Sequence, residues 1–406
     1  MADELAEITK KFGSLSEYSI QLNRWFLKPI GAWPESSSTT KRERIISQIL
    51  IIVCWSIALF TIIPGVLHII FADEDLYFKL QSFGLVSHCC IGGFNYASLL
   101  LRRVEIRHCM EHVQADWKII TRTTDRKTML KNAKISRFIA GCTAVFMHSG
   151  VFCTCIVLGG IKHTITVGNE TMRIYVLPCP PYKIPFDTNP AHDIVLATQF
   201  FSGFIFSSSI IAAFSLATTF ASHALGQLNI LGTWINGLVN QSRDRYVDTV
   251  TNEIGIIVEH HLRVLSFIAR IEHVMSPICF METFHCSLAI CMTSFFILME
   301  WSGQNTETIT AYVMVIISMT FNVFLICYIG EVITEQCKKI GDVVYMTNWY
   351  ELPDKDILNL VMIISRSSMK VKMTAGKLMT MSIYSFGSII KTAFAYLNIL
   401  RHMIMM

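Results

Sequence analysis

Charged residues are scarce in this chain. Only 16% of its 406 residues are Asp, Glu, Lys or Arg, against about 25% in a soluble domain. So few charges cannot solvate a globule of this size, which excludes an ordinary soluble enzyme or binding module. Proline is also sparse, at 10 residues. Pro64 alone falls inside a long apolar run, whereas a transporter is expected to carry broken helices and inverted repeats near its midplane. No internal repeat is present. There is no Gly-rich phosphate loop, no Gly-x-Ser-x-Gly elbow, no Cys-x-x-Cys pair and no pair of intramembrane carboxylates. Neither enzymatic activity, nor a cofactor, nor a metal site is expected.

What the chain has instead is apolar length. Hydrophobic residues make up 52% and mean hydropathy is +0.47. A bilayer core of about 30 Å is crossed by about 20 apolar residues as a helix. Seven such stretches lie at roughly 45–71, 79–101, 138–161, 194–222, 279–300, 309–333 and 376–400. Each is apolar over its length rather than alternating, so barrel strands do not fit. The fold class expected is an all-α membrane protein of seven transmembrane helices.

The basic residues are sorted across these spans. Of 34 Lys and Arg, 28 lie in residues 1–44, in the loop from Arg102 to Arg137, between spans 4 and 5, and before span 7. Five (Lys79, Lys162, Arg173, Lys183 and Arg401) fall on the other side, and Lys391 lies within span 7. Positive charge is retained in the cytoplasm, so the amino terminus is expected inside and the carboxyl terminus outside. A G-protein-coupled receptor sits the other way round. The Asn169-Glu170-Thr171 sequon falls on the external side and is the expected N-glycosylation site; Asn240-Gln241-Ser242 falls inside. No cleavable signal peptide is visible, so span 1 would target the chain. The net charge of +4 comes from the cytoplasmic loops and calls for no nucleic acid.

The chain reads as one domain, 1–406. It comprises a cytoplasmic segment at 1–44, helical cytoplasmic parts at 223–278 and 334–375, and a last span at 376–406. Val247, Val250, Ile254, Ile257, His261, Leu265 and Ile268 recur at three- and four-residue steps, which predicts a helix with one apolar stripe continuing span 4. Ile357–Ile364 is a second such piece, opened by Asp354 and Asp356 after Pro353. These faces need partners, either each other or the same helices of neighbouring subunits. Most of the 13 cysteines are read as small apolar side chains. Cys179 with Cys153 or Cys155 is the one candidate disulfide.

Asp244-Arg245-Tyr246 spells a rhodopsin-like triplet but stands beyond span 4 rather than at the end of span 3. Glu259-His260-His261 resembles a metal cluster, yet adjacent helical residues point about 100° apart, so a solvated face is expected. Ionisable groups inside spans are functional candidates: His88, His148, Glu282, Glu331 and Lys391. For the two histidines, a hydrogen-bonded ring and a ligand contact both stand. For Lys391, a water-filled conduit and a buried ion pair both stand.

Trp349-Tyr350-Glu351-Leu352-Pro353, Leu360 to Ser367, Thr374 to Leu378 and the run from Ile390 to Arg401 together resemble the carboxyl-terminal signature of insect odorant receptors. Leu22 to Pro34 is similar to the amino-terminal segment of the odour-tuning members. The resemblance implies a tetrameric, non-selective cation channel opened by small volatile odorants. It also implies a plasma-membrane heterotetramer with the co-receptor Orco, in the dendrite of an olfactory neuron. The co-receptor has a long insertion after span 4 that this chain lacks. Cytoplasmic parts of spans 4 to 7 would meet as an anchor, and span 7 would line a pore for permeant cations. Lys391, Tyr396, Ile399, His402 and Met403 would line or gate that pore, Ile399 and Met403 as an apolar ring that blocks ions by dewetting. The ligand pocket is expected among spans 2 to 6, open to the outer leaflet lipid. Its candidates are Phe83 and Ser87, Met147 and Val151, Phe201, Phe204 and Ile205, Phe296, and Tyr312, Val313 and Ile316. Pairs such as 147/151 and 312/316 share one helix face. A G-protein-coupled chemoreceptor is the alternative reading.

Overall fold

Buried in lipid, a backbone must pair its N–H and C=O groups internally, and the apolar runs do so as helices. The computed structural model describes residues 2–36, 39–73, 76–160, 162–167, 170–175, 177, 191–241, 247–301 and 306–405. Two short helices, α1 (Ala2–Phe12) and α2 (Leu15–Leu27), precede α3 (Lys41–Phe71). Thr40 and Glu43 form a reciprocal capping box that fixes where α3 starts. Then come α4 (Leu76–Leu101), α5 (Arg103–Ile119) and α6 (Thr123–Gly160). An antiparallel hairpin, β1 (Lys162–Val167) and β2 (Glu170–Tyr175), leads towards α7 (Ala191–Gln241). Next are α8 (Val247–Glu300), α9 (Thr306–Tyr345) and α10 (Asp354–Ser368). A two-residue pair of strands, β3 (Thr374–Ala375) and β4 (Met379–Thr380), precedes α11 (Ile383–Met405).

Seven of these helices, α3, α4, α6, α7, α8, α9 and α11, are long and apolar enough to cross a membrane. At 51 and 54 residues, α7 and α8 are about 75–80 Å long, more than twice a bilayer core. The apolar stripe expected to continue span 4 instead forms the first part of α8, the helix of span 5, which carries Pro277 in its interior. Ile254, Ile257, His261, Leu265 and Ile268 are all buried. His261 therefore faces inward while Glu259 is exposed, so the Glu259-His260-His261 run is neither a solvated face nor a cluster. The start of α10 is as read: Pro353 caps it and Asp354 and Asp356 fill its first turn. The seventh span begins at Ile383 rather than near 376, because Gly376 and Lys377 both adopt φ 60° and turn the chain between β3 and β4.

The centre of the bundle is α7, whose buried face is rich in Ser and Ala. Small residues let backbones approach in lipid. A Cβ on Gly92 of α4 would lie 2.5 Å from Phe206 Cβ, so that crossing tolerates glycine alone. The amino-terminal segment is clasped against α3 to α5. Ser47 and Arg103 both donate to the Gly31 carbonyl, and Tyr96 donates to Ile30 O at 2.6 Å. Asn169, Cys179 and Asp244-Arg245-Tyr246 lie outside the described residues, as does the Cys155 side chain; Cys153 is a free thiol.

At the end rich in basic residues, three helices meet on one carboxylate. Asp116 of α5 is 4% exposed. Its Oδ1 accepts from Arg263 Nε at 2.9 Å and Nη2 at 2.6 Å, both from α8. Its Oδ2 takes His223 Nε2 of α7 at 2.9 Å and His112 Nε2 at 3.4 Å. Burial alone would raise the Asp116 pKa, but the bond and charge of His223, with His112 and Arg263, hold it below its ordinary value. Burial pushes His112 down to about 4, and its ring stacks on Phe267 at 4.4 Å.

Candidate functional site

Towards the opposite end, six helices draw apart around a cavity of about 140 Å³, α3 touching it through Thr61. Helix α4 supplies Gln81, Ser87 and His88; α6 supplies Met147 and Val151; α7 supplies Gln199 and Gly203. Helix α8 brings His285, Met292 and Phe296, and α9 brings Tyr312, Val315 and Met319. The wall is mainly apolar with few polar groups, the usual chemistry of a small-molecule site. Gly203 helps to keep it open, since a Cβ there would come 3.1 Å from Val151 Cγ1.

At one side of the cavity, Tyr312 and Phe296 stack with centroids 5.7 Å apart, and Tyr77 meets Phe296 edge-on at 5.7 Å. Tyr77 donates to Glu300 Oε1 at 2.8 Å, and Gln81 Nε2 donates to the Tyr312 hydroxyl at 3.3 Å. The Tyr312 proton thus stays available to a ligand. Deeper in, His88 Nδ1 and His285 Nε2 are 3.3 Å apart. Met147 is held by Asn322, whose Nδ2 donates to its sulfur at 2.9 Å.

Of the residues read from sequence, Ser87, Met147, Val151, Phe296 and Tyr312 line this cavity. Phe83, Phe201, Phe204 and Val313 turn outward and are exposed, and Ile205 and Ile316 are half-buried off the wall. Phe204 instead stacks on His148, 4.4 Å away. The reason is rotational: when a helix is apolar all round, its sequence does not say which face turns in. Gln81, His285, Met292 and Met319 were missed. Of these, His285 carried a usable signal, an ionisable side chain in an apolar run.

The last helix is held by one stripe, with Ser385, Ile389, Ala393 and Leu397 buried at four-residue steps. Lys391, Phe394, Tyr396, Ile399 and His402 face away from the subunit and are exposed; the Met403 side chain lies outside the described residues. On α10, Leu360 and Ile363 are buried while Leu358, Val361 and Met362 are exposed, so that helix has a second apolar face left uncovered.

A family model described as "7tm Odorant receptor" matches residues 76–394. Odorant receptor 13a of Drosophila melanogaster is 25% identical over 54% of this chain, and Odorant receptor 10 of Aedes albopictus is 23% identical over 36%. The chain spans 57% and 38% of the length of these two relatives. Among solved structures, the insect olfactory receptor OR5 from Machilis hrabei superposes with a TM-score of 0.78 over 94% of this chain and 98% of that one, at 12% identity. The same receptor in complex with eugenol gives 0.75 over 95% and 99%. The family match displaces the G-protein-coupled alternative. With the family match covering most of its length, the chain belongs to the seven-transmembrane odorant receptor family.

Proposed function

We propose that the chain is an odour-tuning subunit of a cation channel gated by small volatile odorants. The observation that carries this reading is the cavity. An apolar cavity of about 150 Å³ takes a benzene ring, so a space of about 140 Å³ suits a single-ring or short-chain volatile. The Tyr312 hydroxyl and the His88–His285 pair would orient one polar group of that ligand. Machilis hrabei OR5, of the same fold, binds eugenol, a single-ring molecule of this kind.

The outward face of α11 would line the pore once four subunits meet, with Lys391, Tyr396, Ile399, His402 and Met403 along it. Ile399 and Met403 would be its apolar gate. The uncovered face of α10 would pack against a neighbouring subunit at the cytoplasmic anchor. The partner is the co-receptor Orco, in a plasma-membrane heterotetramer. The amino terminus is inside and the carboxyl terminus outside, with Asn169 as an external glycan site.

The test is whole-cell current under a panel of volatiles, with and without Orco. The expected result is odorant-dependent cation current in cells expressing both chains. Surface expression with no current to any ring-sized or short-chain volatile would overturn it. An epitope at Met406 should be stained on intact cells; staining only after permeabilisation would reject the orientation.

A further inference from the structure

We propose that Glu282, His285 and Cys286 form a zinc site beneath the cavity. The three stand at i, i+3 and i+4 on α8, which puts them on one helix face. They are 1%, 1% and 0% exposed. One ligand atom from each lies within 4.8 Å of the others. Across the helix interface, Met319 Sδ of α9 is 3.9 Å from Cys286 Sγ.

The polar atoms here are left open. His285 Nδ1 and Glu282 Oε2 have no hydrogen-bond partner and face each other at 3.9 Å. That is too long for a hydrogen bond. It is close to the spacing of about 3.4 Å between two ligands that each stand about 2.1 Å from a tetrahedral zinc. A buried carboxylate also needs a balancing charge, and among the described residues the ionic neighbour of Glu282 is His285. A divalent ion supplies that charge.

The donor set selects the ion. One carboxylate oxygen, one imidazole nitrogen and one thiolate sulfur form a mixed set that zinc accepts. Calcium and magnesium take oxygen donors alone. Cys286 binds as thiolate, so its proton leaves to solvent when the metal arrives. A fourth position stays open towards the cavity that His285 and Met319 line, which is also the path in.

The surroundings orient the ligands as outer partners of a metal site do. Asn95 Nδ2 donates to the other Glu282 oxygen. With zinc on Nδ1, His285 carries its proton on Nε2 and donates it to His88 Nδ1, 3.3 Å away. His88 is then fixed with its proton on Nε2, which gives the cavity a donor for an odorant carbonyl or ether oxygen.

The full chain, purified in detergent, stripped with a chelator and titrated with Zn²⁺ alone, tests this. The expected result is one zinc per chain by elemental analysis. Co²⁺ in its place should give a thiolate-to-cobalt absorption band. Glu282→Gln and Cys286→Ser should each weaken zinc by at least about tenfold, and Cys286→Ser should abolish the band. His148→Ala, whose ring stacks elsewhere on Phe204, should bind as the parent does. No zinc at tens of micromolar, or no cobalt band in the parent chain, overturns the proposal. So does undiminished zinc in well-folded Glu282→Gln. If Cys286→Ser does not fold, the parent cobalt band decides alone. Binding is read without odorant, so its failure leaves the channel reading standing.

Discussion

Two buried carboxylates of the bundle are built in opposite ways. Asp116 has both oxygens engaged, by Arg263 on one side and His223 and His112 on the other. Glu282 has one oxygen bonded to Asn95 and the other unpartnered, with His285 Nδ1 facing it. The first is a joint that ties α5, α7 and α8 together. The second is held ready for something else. A saturated network fixes a structure, while a half-saturated one is costly to keep. Its position directly below a cavity gives it a use.

The strongest way to break this contrast is Asp116→Ala, which leaves Arg263 and two histidines without their acceptor. We expect a loss of about 3 kcal/mol, seen as a lower thermal midpoint of the full chain in detergent. An unchanged midpoint would remove the joint from the argument. Acidification probes the same joint more gently. His112 is held neutral, so its contribution is complete above its ordinary value of 6.5 and is lost as pH falls from there towards about 4. Asp116, lowered below its ordinary 3.8, contributes fully above that value and loses its share only as pH falls through its depressed folded value. The midpoint should drop by on the order of 5 °C between pH 6.5 and 4, and His112→Phe should flatten this first phase.

At the other end, Val151→Trp places an indole in the open space. It should shift odorant potency by about tenfold or more with surface expression retained; unchanged tuning would detach the cavity from ligand recognition. Glu282→Gln keeps the shape and the bond to Asn95, so without metal its stability should stay within about 1 kcal/mol of the parent. A loss as large as that of Asp116→Ala would erase the difference between the two carboxylates. The smallest effect is expected from Phe201→Ala, whose ring faces away from the cavity: odorant dose–response should move by less than about twofold.

The same contrast explains how much was legible beforehand. Length and apolarity settle the seven spans, and the spacing from Ile254 to Ile268 settles that this stretch is helical with one buried stripe, but not that it belongs to span 5 rather than span 4. Turn chemistry places α10 after Pro353. Rotation about a helix axis is another matter. Tyr312 and Phe296 fall on the cavity wall, but Val313 and Phe201 do not, because in an apolar run every neighbour satisfies the same pattern. The amino-terminal clasp at Gly31 was illegible for a different reason: it depends on donors from Ser47 and Arg103, which only the assembled helices bring together. Glu282 stands in the sequence as an isolated ionisable group, which does not reveal that Asn95 and His285 come beside it.

The turn before α11 ties α8 and α9 to the last helix. Gly376 N–H donates to Ser276 O of α8 at 2.9 Å, and Gly376 is packed against Phe280. On the other flank, a side chain on Gly330 of α9 would collide with Met381, and Glu331 caps the first turn of α11 through Ile383 N–H at 3.2 Å. The helices pinned here are the ones that carry His285, Phe296, Tyr312 and Met319 at the cavity, about 15–30 Å along the same rods. Any tilt of α8 or α9 would therefore be felt first at this turn, where both helices are in direct contact with the segment that opens α11.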